Sequence, residues 1–190
     1  MTTPRLETLE AIEAAVWHEL DRAVHHKAHG WRLCVLATND GDAVDARHVV
    51  LREWDEPTRT LLIFTDSRSR KAQQIAAHPS GMLVMWSPEL TWQLRVRVRL
   101  GVEISGLAVS SRWARLKLTP ARFDYLSPLP PGSPLEGPAP DQAPPDPSRE
   151  SREHFAVLTA EVVSVDWLEL HPLGHRRALF EPTGRCWLAP

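Results

Sequence analysis

The stretch Arg47–Lys71, RHVVLREWDEPTRTLLIFTDSRSRK, decides how this chain is read. Its first half, centred on Val49-Val50-Leu51, and its second, TLLIFT over 60–65, have the β-branched and apolar content of strands. Asp55-Glu56-Pro57 turns the chain between them. A helix is predicted over Ser69–His78, ended by Pro79. Arg68, Arg70 and Lys71 crowd the start of that helix. Unsatisfied N–H groups already make a helix N-terminus partly positive, so three cations there repel it and one another unless an anion joins them. Phosphate is the usual guest of such a position. Arg47 and Arg52 flank the preceding apolar run and extend the basic character. The plainer alternative is a solvated, charged helix face.

Outward from this stretch, apolar residues at 6, 9, 12, 16, 20 and 24 recur at three- and four-residue spacing and predict an N-terminal helix over about 5–29, stopped by Gly30. WRLCVLAT (31–38) reads as a strand, and Asn39-Asp40-Gly41-Asp42 as a hairpin turn into a returning strand over 43–54. GMLVMW (81–86) is a further buried strand. WQLRVRVRLGVEI (92–104) alternates, with Leu94, Val96, Val98 and Leu100 on one face and Gln93, Arg95, Arg97 and Arg99 on the other. A second short helix is expected over 109–118. Strands are expected over 154–165, 167–170, 176–181 and 186–189. Between them, residues 127–148 form a Pro-rich surface loop, with nine of the chain's 17 prolines between Ser127 and Pro147. Many short strands with few helices predict a mainly β protein, a small β-barrel, in one domain over 1–190.

The 190 residues carry a net charge of -2, which argues against bulk attraction to nucleic acid or to an anionic membrane. No apolar run approaches the roughly 20 residues of a membrane span, and the first residues lack the pattern of a signal peptide. Two cysteines, Cys34 and Cys186, make no disulfide framework and fit a reducing, cytoplasmic setting. The nine histidines are scattered. His25 and His29 share helical spacing, but a wet helix face explains them better than a metal pair. Arg95, Arg97 and Arg99 on one face suit a nucleic-acid backbone; with only Trp92 as a neighbouring aromatic, an outer barrel face or a dimer contact is preferred.

Three blocks together carry a resemblance: ARHVVLR (46–52); Phe64-Thr65-Asp66 with Ser69-Arg70-Lys71 and the helix to Pro79; and the run from Val165-Asp166-Trp167-Leu168 through His175-Arg176-Arg177-Ala178 to Pro190. Over roughly Trp31–Pro190 the chain resembles the pyridoxamine 5′-phosphate oxidase-like branch of the FMN-binding split barrels. The resemblance implies FMN as cofactor and an oxidoreductase, with a non-catalytic flavin-binding or sensor protein as the alternative. It implies FMN contacts from Arg47, Val49, Val50, Leu51, Arg52, Phe64, Thr65, Ser69, Arg70, Lys71 and Gln93. It also implies a homodimer with the site at its interface, where Trp167 and Arg177 contribute from across the contact. His175 matches a substrate-side histidine, and His48 and His175 are the nearest candidate bases. Two departures bear on the substrate. SRWARLKLTPARFDY (111–125) lacks the Tyr, Arg and Ser that grip a substrate phosphate in the oxidase, and Leu173 stands where the oxidase has a substrate-binding Arg. The resemblance therefore implies FMN binding and leaves the substrate and the electron partner open.

Overall fold

A computed structural model describes residues 5–138 and 152–190. Helix α1 (Leu9–His25) precedes strands β1 (Leu33–Asp40), β2 (Ala43–Asp55) and β3 (Thr60–Asp66). Helix α2 (Arg70–Ala77), β4 (Ser80–Ser87), β5 (Trp92–Glu103) and helix α3 (Leu107–Leu116) follow. A 3₁₀ turn (Pro120–Tyr125) then leads towards β6 (Phe155–Glu169), β7 (Arg176–Glu181) and β8 (Gly184–Leu188). The strands are antiparallel in the order β3-β2-β1-β4-β5-β6-β7-β8, and β3 also pairs with β6. That extra pairing closes six strands into a ring and leaves β7 and β8 as a wing. The expected mainly β barrel with few helices is the fold observed. Among the described residues, no helix is long and apolar enough to cross a membrane.

The barrel is filled from alternate positions of its strands: Cys34 and Leu36, Val49 and Leu51, Leu83 and Met85, and Leu94, Val96 and Val98. Ile12, Val16 and Leu20 of α1 join the same core, and Trp17 stacks on Trp54 with centroids 5.6 Å apart. Burial pushes the Cys34 thiol up to about 12, so it is inert at neutral pH. A second apolar cluster lies on the outer side of β3 and β6. There α3 and the 3₁₀ turn bring Val109, Trp113, Leu116 and Tyr125 onto Leu62, Phe155 and Val157.

The structure corrects the expected helix boundaries. α1 begins at Leu9, where the Thr8 hydroxyl caps it by accepting from the Ala11 N–H at 3.2 Å. It ends at His25, four residues before the expected stop, because Arg32 caps it from outside. The Arg32 guanidinium donates to the carbonyls of Val24 (2.6 Å) and Ala23 (3.3 Å). Gly30 has a different task. A Cβ there would lie 2.8 Å from Ser87 Cα and 2.9 Å from the Trp86 carbonyl, so glycine permits the close pass of the two backbones. α3 runs Leu107–Leu116 rather than 109–118, and the 3₁₀ turn has no counterpart in the sequence reading. Of the Pro-rich stretch, residues 139–148 lie outside the described residues.

A larger correction concerns β6. The two expected strands over 154–165 and 167–170 are one fifteen-residue strand. A register shift against Arg97/Val98 leaves Val163 unpaired with β5. Inward positions are consequently even before it (Leu158, Ala160) and odd after it (Val165, Trp167, Glu169). The change of phase breaks the alternation without breaking the strand. Near its end, Glu169 is 5% exposed and accepts from Arg5 Nε (2.9 Å) and Arg176 Nε (2.9 Å), tying the N-terminal segment to β7.

Two stability predictions follow. Gly30→Ala should cost about 1–3 kcal/mol by forcing apart two backbones, which urea unfolding would detect; an unchanged midpoint would show that the chains can separate freely there. For Glu169, burial pushes the carboxyl upward, but hydrogen bonds from Arg176 and Arg5 outweigh it and the net direction is down. Its contribution is therefore complete above the unfolded value of about 4.3 and fades as pH falls through the lower folded value. Glu169→Gln should be less stable at neutral pH and should lose less stability than wild type on acidification below about pH 4. Parallel losses in the two proteins would refute this.

Candidate functional site

The ladder between β2 and β3 is incomplete. It pairs Asp55↔Thr60, Trp54↔Leu61, Glu53↔Leu62 and Leu51↔Ile63, with a bulge at Arg52, and goes no further. Beyond it, Arg47–Val50 pair only with β1, and Phe64–Asp66 only with β6. Two strand edges thus diverge into an opening. Leu51 donates its N–H to the Arg32 carbonyl on the β1 side, at 2.9 Å. By the alternation of an antiparallel strand, the backbone groups of His48 and Val50 then point into the opening. Val49 and Leu51 turn their side chains into the core, and Val50 faces outward.

Helix α2 stands at the wide end of the opening, because β3 runs into it through a short turn. Ser69 is its N-cap residue and is 2% exposed; its hydroxyl lies 3.3 Å from that of Thr65. Gln74 anchors the helix to the barrel rim. Its carbonyl accepts from the Thr38 hydroxyl (2.6 Å) and from Arg47 Nη2 (2.9 Å), and its amide donates to Asp45 (3.0 Å). Arg47 also donates to Thr38 Oγ1 (2.6 Å) and pairs with Asp45 (2.5 Å), so its guanidinium is fixed before any ligand arrives.

The three cations at the start of α2 meet different fates. Arg68 folds back as a fork on Asp66, at 2.7 and 3.1 Å, and donates to the carbonyls of Ser127 and Pro128 at the start of the Pro-rich stretch. Arg70 pairs with Asp40 of the β1–β2 hairpin and is largely solvent-exposed. The side chain expected in a phosphate cradle is thus met by a carboxylate thirty residues upstream. Lys71 is half-buried and has no ion-pair partner among the described residues. Burial first, then the Arg47 charge, hold its ammonium below the ordinary lysine value, against the opposing pull of Asp66 and Asp45. Arg47 is thus compensated by Asp45, and the neighbouring Lys71 is left without an ion-pair partner among the described residues, near the Ser69 and Thr65 hydroxyls.

On the outer lip, the Arg52 guanidinium sits 5.8 Å from the Phe64 ring centroid. Phe64 packs edge-on to Phe155 at 5.2 Å, which joins the lip to the second apolar cluster. The opening therefore gathers Arg47, Val49, Val50, Leu51, Arg52, Phe64, Thr65, Ser69 and Lys71.

The remaining expected residues lie elsewhere in the same chain. Along β6, Phe64 is in register with Val157 and Gln93 with Leu168, eleven residues on, or about 35 Å of strand. Gln93 occupies an outward row of cross-strand neighbours, Trp86–Gln93–Leu168–Arg177–Leu188. Arg177 is in that row and forks onto Asp166 at 2.9 and 2.6 Å, which raises its pKa, while Arg95 reaches the same carboxylate at 3.3 Å. Trp167 points the other way. It is fully buried against Trp92, with its indole N–H unpartnered, so it is a core residue rather than a ligand contact in this conformation. His175 is exposed in the β6–β7 turn, where its Nδ1 accepts from the His171 N–H at 3.1 Å. His29 does not join His25. Its Nδ1 accepts from the Trp31 N–H, and Nε2 therefore donates to Glu19 at 2.9 Å.

Comparison with known proteins agrees with this geometry. Residues 14–103 match the family described as pyridoxamine 5′-phosphate oxidase, FMN-binding domain. A pyridoxine/pyridoxamine 5′-phosphate oxidase of Nostoc sp. is 39% identical over 89 residues, covering 47% of this chain and 40% of that protein. Its counterpart in Thermosynechococcus vestitus is 47% identical over 62 residues, covering 32% and 28%. The chain thus aligns with well under half the length of these curated relatives. A crystal structure of a pyridoxamine 5′-phosphate oxidase-related, FMN binding protein from Nostoc punctiforme superimposes with a TM-score of 0.76 at 26% identity, over 97% of this chain and all of that one. PhzG from Burkholderia lata shares the fold at a TM-score of 0.70 and 16% identity, over 100% and 98% of the two chains. The matched segment contains the opening between β2 and β3, and residues 14–103 of this chain belong to the pyridoxamine 5′-phosphate oxidase FMN-binding domain family.

Proposed function

We propose that this protein binds FMN in the β2–β3 opening and acts as an FMN-dependent oxidoreductase, as a homodimer whose contact completes the site. The observation that carries the reading is the half-buried Lys71, without an ion-pair partner among the described residues and beside the oriented Arg47, at one end of an unpaired strand edge. A flavin mononucleotide has the matching parts: a dianionic phosphate, and a planar ring system with hydrogen-bonding edges. Lys71, Arg47 and the Ser69 hydroxyl would hold the phosphate, with the start of α2 behind them. The backbone of His48 and Val50 would meet the ring edge, and Phe64 and Thr65 would border it. When bound, FMN supplies the hydride or electron transfer, and the protein supplies binding, orientation and exclusion of water.

The homodimer is argued from exposed surface. Gln93 and Arg177 lie on the outward row that runs from Val50 through Leu33 and Trp86, and a second copy seated on that row would bring them to the opening of its partner. The row that carries them includes Trp86, 42% exposed, and Leu188, 36% exposed, with Leu33 nearby at 56%. An apolar stripe interrupted by arginine is the composition of a protein–protein contact.

We do not extend the reading to vitamin B6 substrates. Leu173, in the oxidase's arginine position, is 84% exposed and offers no charge to a substrate. A second reading, flavin binding without turnover, draws on the acid–base groups at the rim. Asp40, Asp45 and Asp66 are all engaged by Arg70, Arg47 and Arg68, which leaves His48 and Lys71 as the titratable side chains at the opening without a carboxylate partner among the described residues.

The visible spectrum of the purified protein, with the heat-released ligand identified by mass, tests the cofactor; a colourless protein that takes up no added FMN removes the proposal. Lys71→Ala should weaken FMN binding by about 1.5–3 kcal/mol, as expected for a charge-assisted contact, and Arg70→Ala by distinctly less. An equal or larger loss for Arg70 would mean that the Asp40 pair opens to receive the phosphate. For the dimer, Leu168→Glu should give a monomer in light scattering and lower FMN affinity together. A monomeric variant with unchanged FMN affinity would rule out a shared site. Turnover of amines or of nicotinamide donors, followed by flavin bleaching under anaerobic conditions, separates an oxidoreductase from a silent flavin carrier.

A further inference from the structure

Beside the opening, on the outer face, the chain presents a second cationic centre that its own carboxylate fills. Arg112 and Arg115 of α3 converge on Glu53 of β2. Arg112 Nε and Nη2 lie 2.9 and 2.7 Å from Glu53 Oε2, and Arg115 Nη2 lies 3.0 Å from Oε1. Both carboxylate oxygens are therefore taken by guanidinium groups. Arg112 is also braced by its bond to the Ala108 carbonyl, at 3.1 Å, which fixes its orientation without Glu53. Glu53 itself owes its direction to the bulge at Arg52, which shifts the phase of β2 so that Trp54 faces the core side and Glu53 faces α3.

The position of this centre gives it meaning. Glu53 is in register with Leu62, two residues along β3 from Phe64 on the same outer face, or about 7 Å of strand. Arg52, between Glu53 and the opening, has no carboxylate partner among the described residues. Two guanidinium groups hold the one carboxylate here, with Arg52 next to it in sequence, and a planar fork of guanidinium donors is the standard receptor for a phosphate or carboxylate. A simple staple between α3 and β2 requires one arginine; two arginines that take both oxygens reproduce an oxyanion site.

We infer that Glu53 is a resident anion occupying an oxyanion site at the lip of the opening, and that it sets ligand specificity by denying that site to free phosphate and carboxylate groups. A tethered carboxylate is present at high effective concentration, so a dissolved anion competes with it poorly. On the proposed FMN reading, on which this consequence rests, the part of a substrate that extends over Phe64 towards α3 is neutral or cationic. The oxyanion site itself is independent of that reading.

The test uses the full chain, with inorganic phosphate as the probe and the shift in melting temperature together with calorimetric titration as readouts. All proteins carry Lys71→Ala, which keeps the α2 end out of the signal and makes the outcome independent of whether FMN binds. Adding Glu53→Gln should raise phosphate affinity at least tenfold over the Lys71→Ala chain. Adding Arg112→Gln and Arg115→Gln as well should abolish the gain. If Glu53→Gln is poorly folded, Glu53→Ala provides the second arm: its melting temperature should climb with phosphate concentration, because a ligand that binds only the folded state stabilises it. Phosphate affinity unaltered by Glu53→Gln, a gain that survives loss of both arginines, or a melting temperature indifferent to phosphate in Glu53→Ala would each overturn the inference and leave a structural ion pair.

Discussion

The rest of the structure depends on the point where the β2–β3 ladder stops. A closed barrel satisfies its backbone by pairing every strand on both sides, and an unpaired edge is a standing cost unless water or a ligand covers it. Here the ladder ends at Leu51↔Ile63, and from there the strands are claimed by different neighbours, β2 by β1 and β3 by β6. The side chains at the fork hold it open. Thr65 turns towards Ser69, Asp66 is drawn to Arg68, and Gln74 pins α2 to the rim through Thr38, Arg47 and Asp45. Each contact requires α2 where β3 would otherwise continue along β2. Opening the barrel and placing the helix are thus one event.

Most strands were legible in the sequence because their alternation is clean. Leu94, Val96, Val98 and Leu100 against Arg95, Arg97 and Arg99 leave little room for another reading. The misreading at β6 has a definite cause. A bulge at Val163 exchanges the two faces of the strand, so the polar Asp166 falls on the outward side of one continuous strand, at the position where the sequence divides it into two segments. The bulge at Arg52 does the same to β2, but only Glu53, Trp54 and Asp55 follow it, too few residues for the change of phase to show in the sequence. The early end of α1 was hidden for another reason. Its cap comes from Arg32, seven residues beyond the helix, and no local pattern announces a side chain that reaches back.

At the site, the sequence indicated that cations gather at the start of α2 but not which of them is available. Arg68, Arg70 and Lys71 look equivalent in a string of letters. Their roles are assigned by where carboxylates sit in space: Asp66 two residues before Arg68, and Asp40 across a hairpin from Arg70. Among the described residues the lysine has no ion-pair partner, because Asp66 and Asp45 are held by Arg68 and Arg47, and absence of a partner is a tertiary property. Trp167 illustrates the converse. Alternation places Asp166 and Leu168 on one face of β6 and Trp167 on the other, and only the closed barrel shows that the face of Trp167 is the core.

A site divided between two copies has a thermodynamic consequence. On the proposed dimer, one end of FMN rests on the opening of one chain, and Gln93 and Arg177 approach from its partner. Cofactor binding and subunit association then belong to one linked equilibrium: whatever tightens one must tighten the other by the same factor. Arg177 makes the coupling electrostatic as well. Its guanidinium is already committed to Asp166, and Asp166 is shared with Arg95, so any anion it meets across the contact competes with a carboxylate held in place on its own face. Arg47 behaves in the same way with Asp45. On this rim arginines are oriented by acidic neighbours before a ligand arrives, and the half-buried Lys71 is the group whose charge has waited for one. On the proposed reading, that division of labour, rigid paired arginines for direction and one undercompensated lysine for attraction, would make the opening selective for a phosphate rather than merely basic.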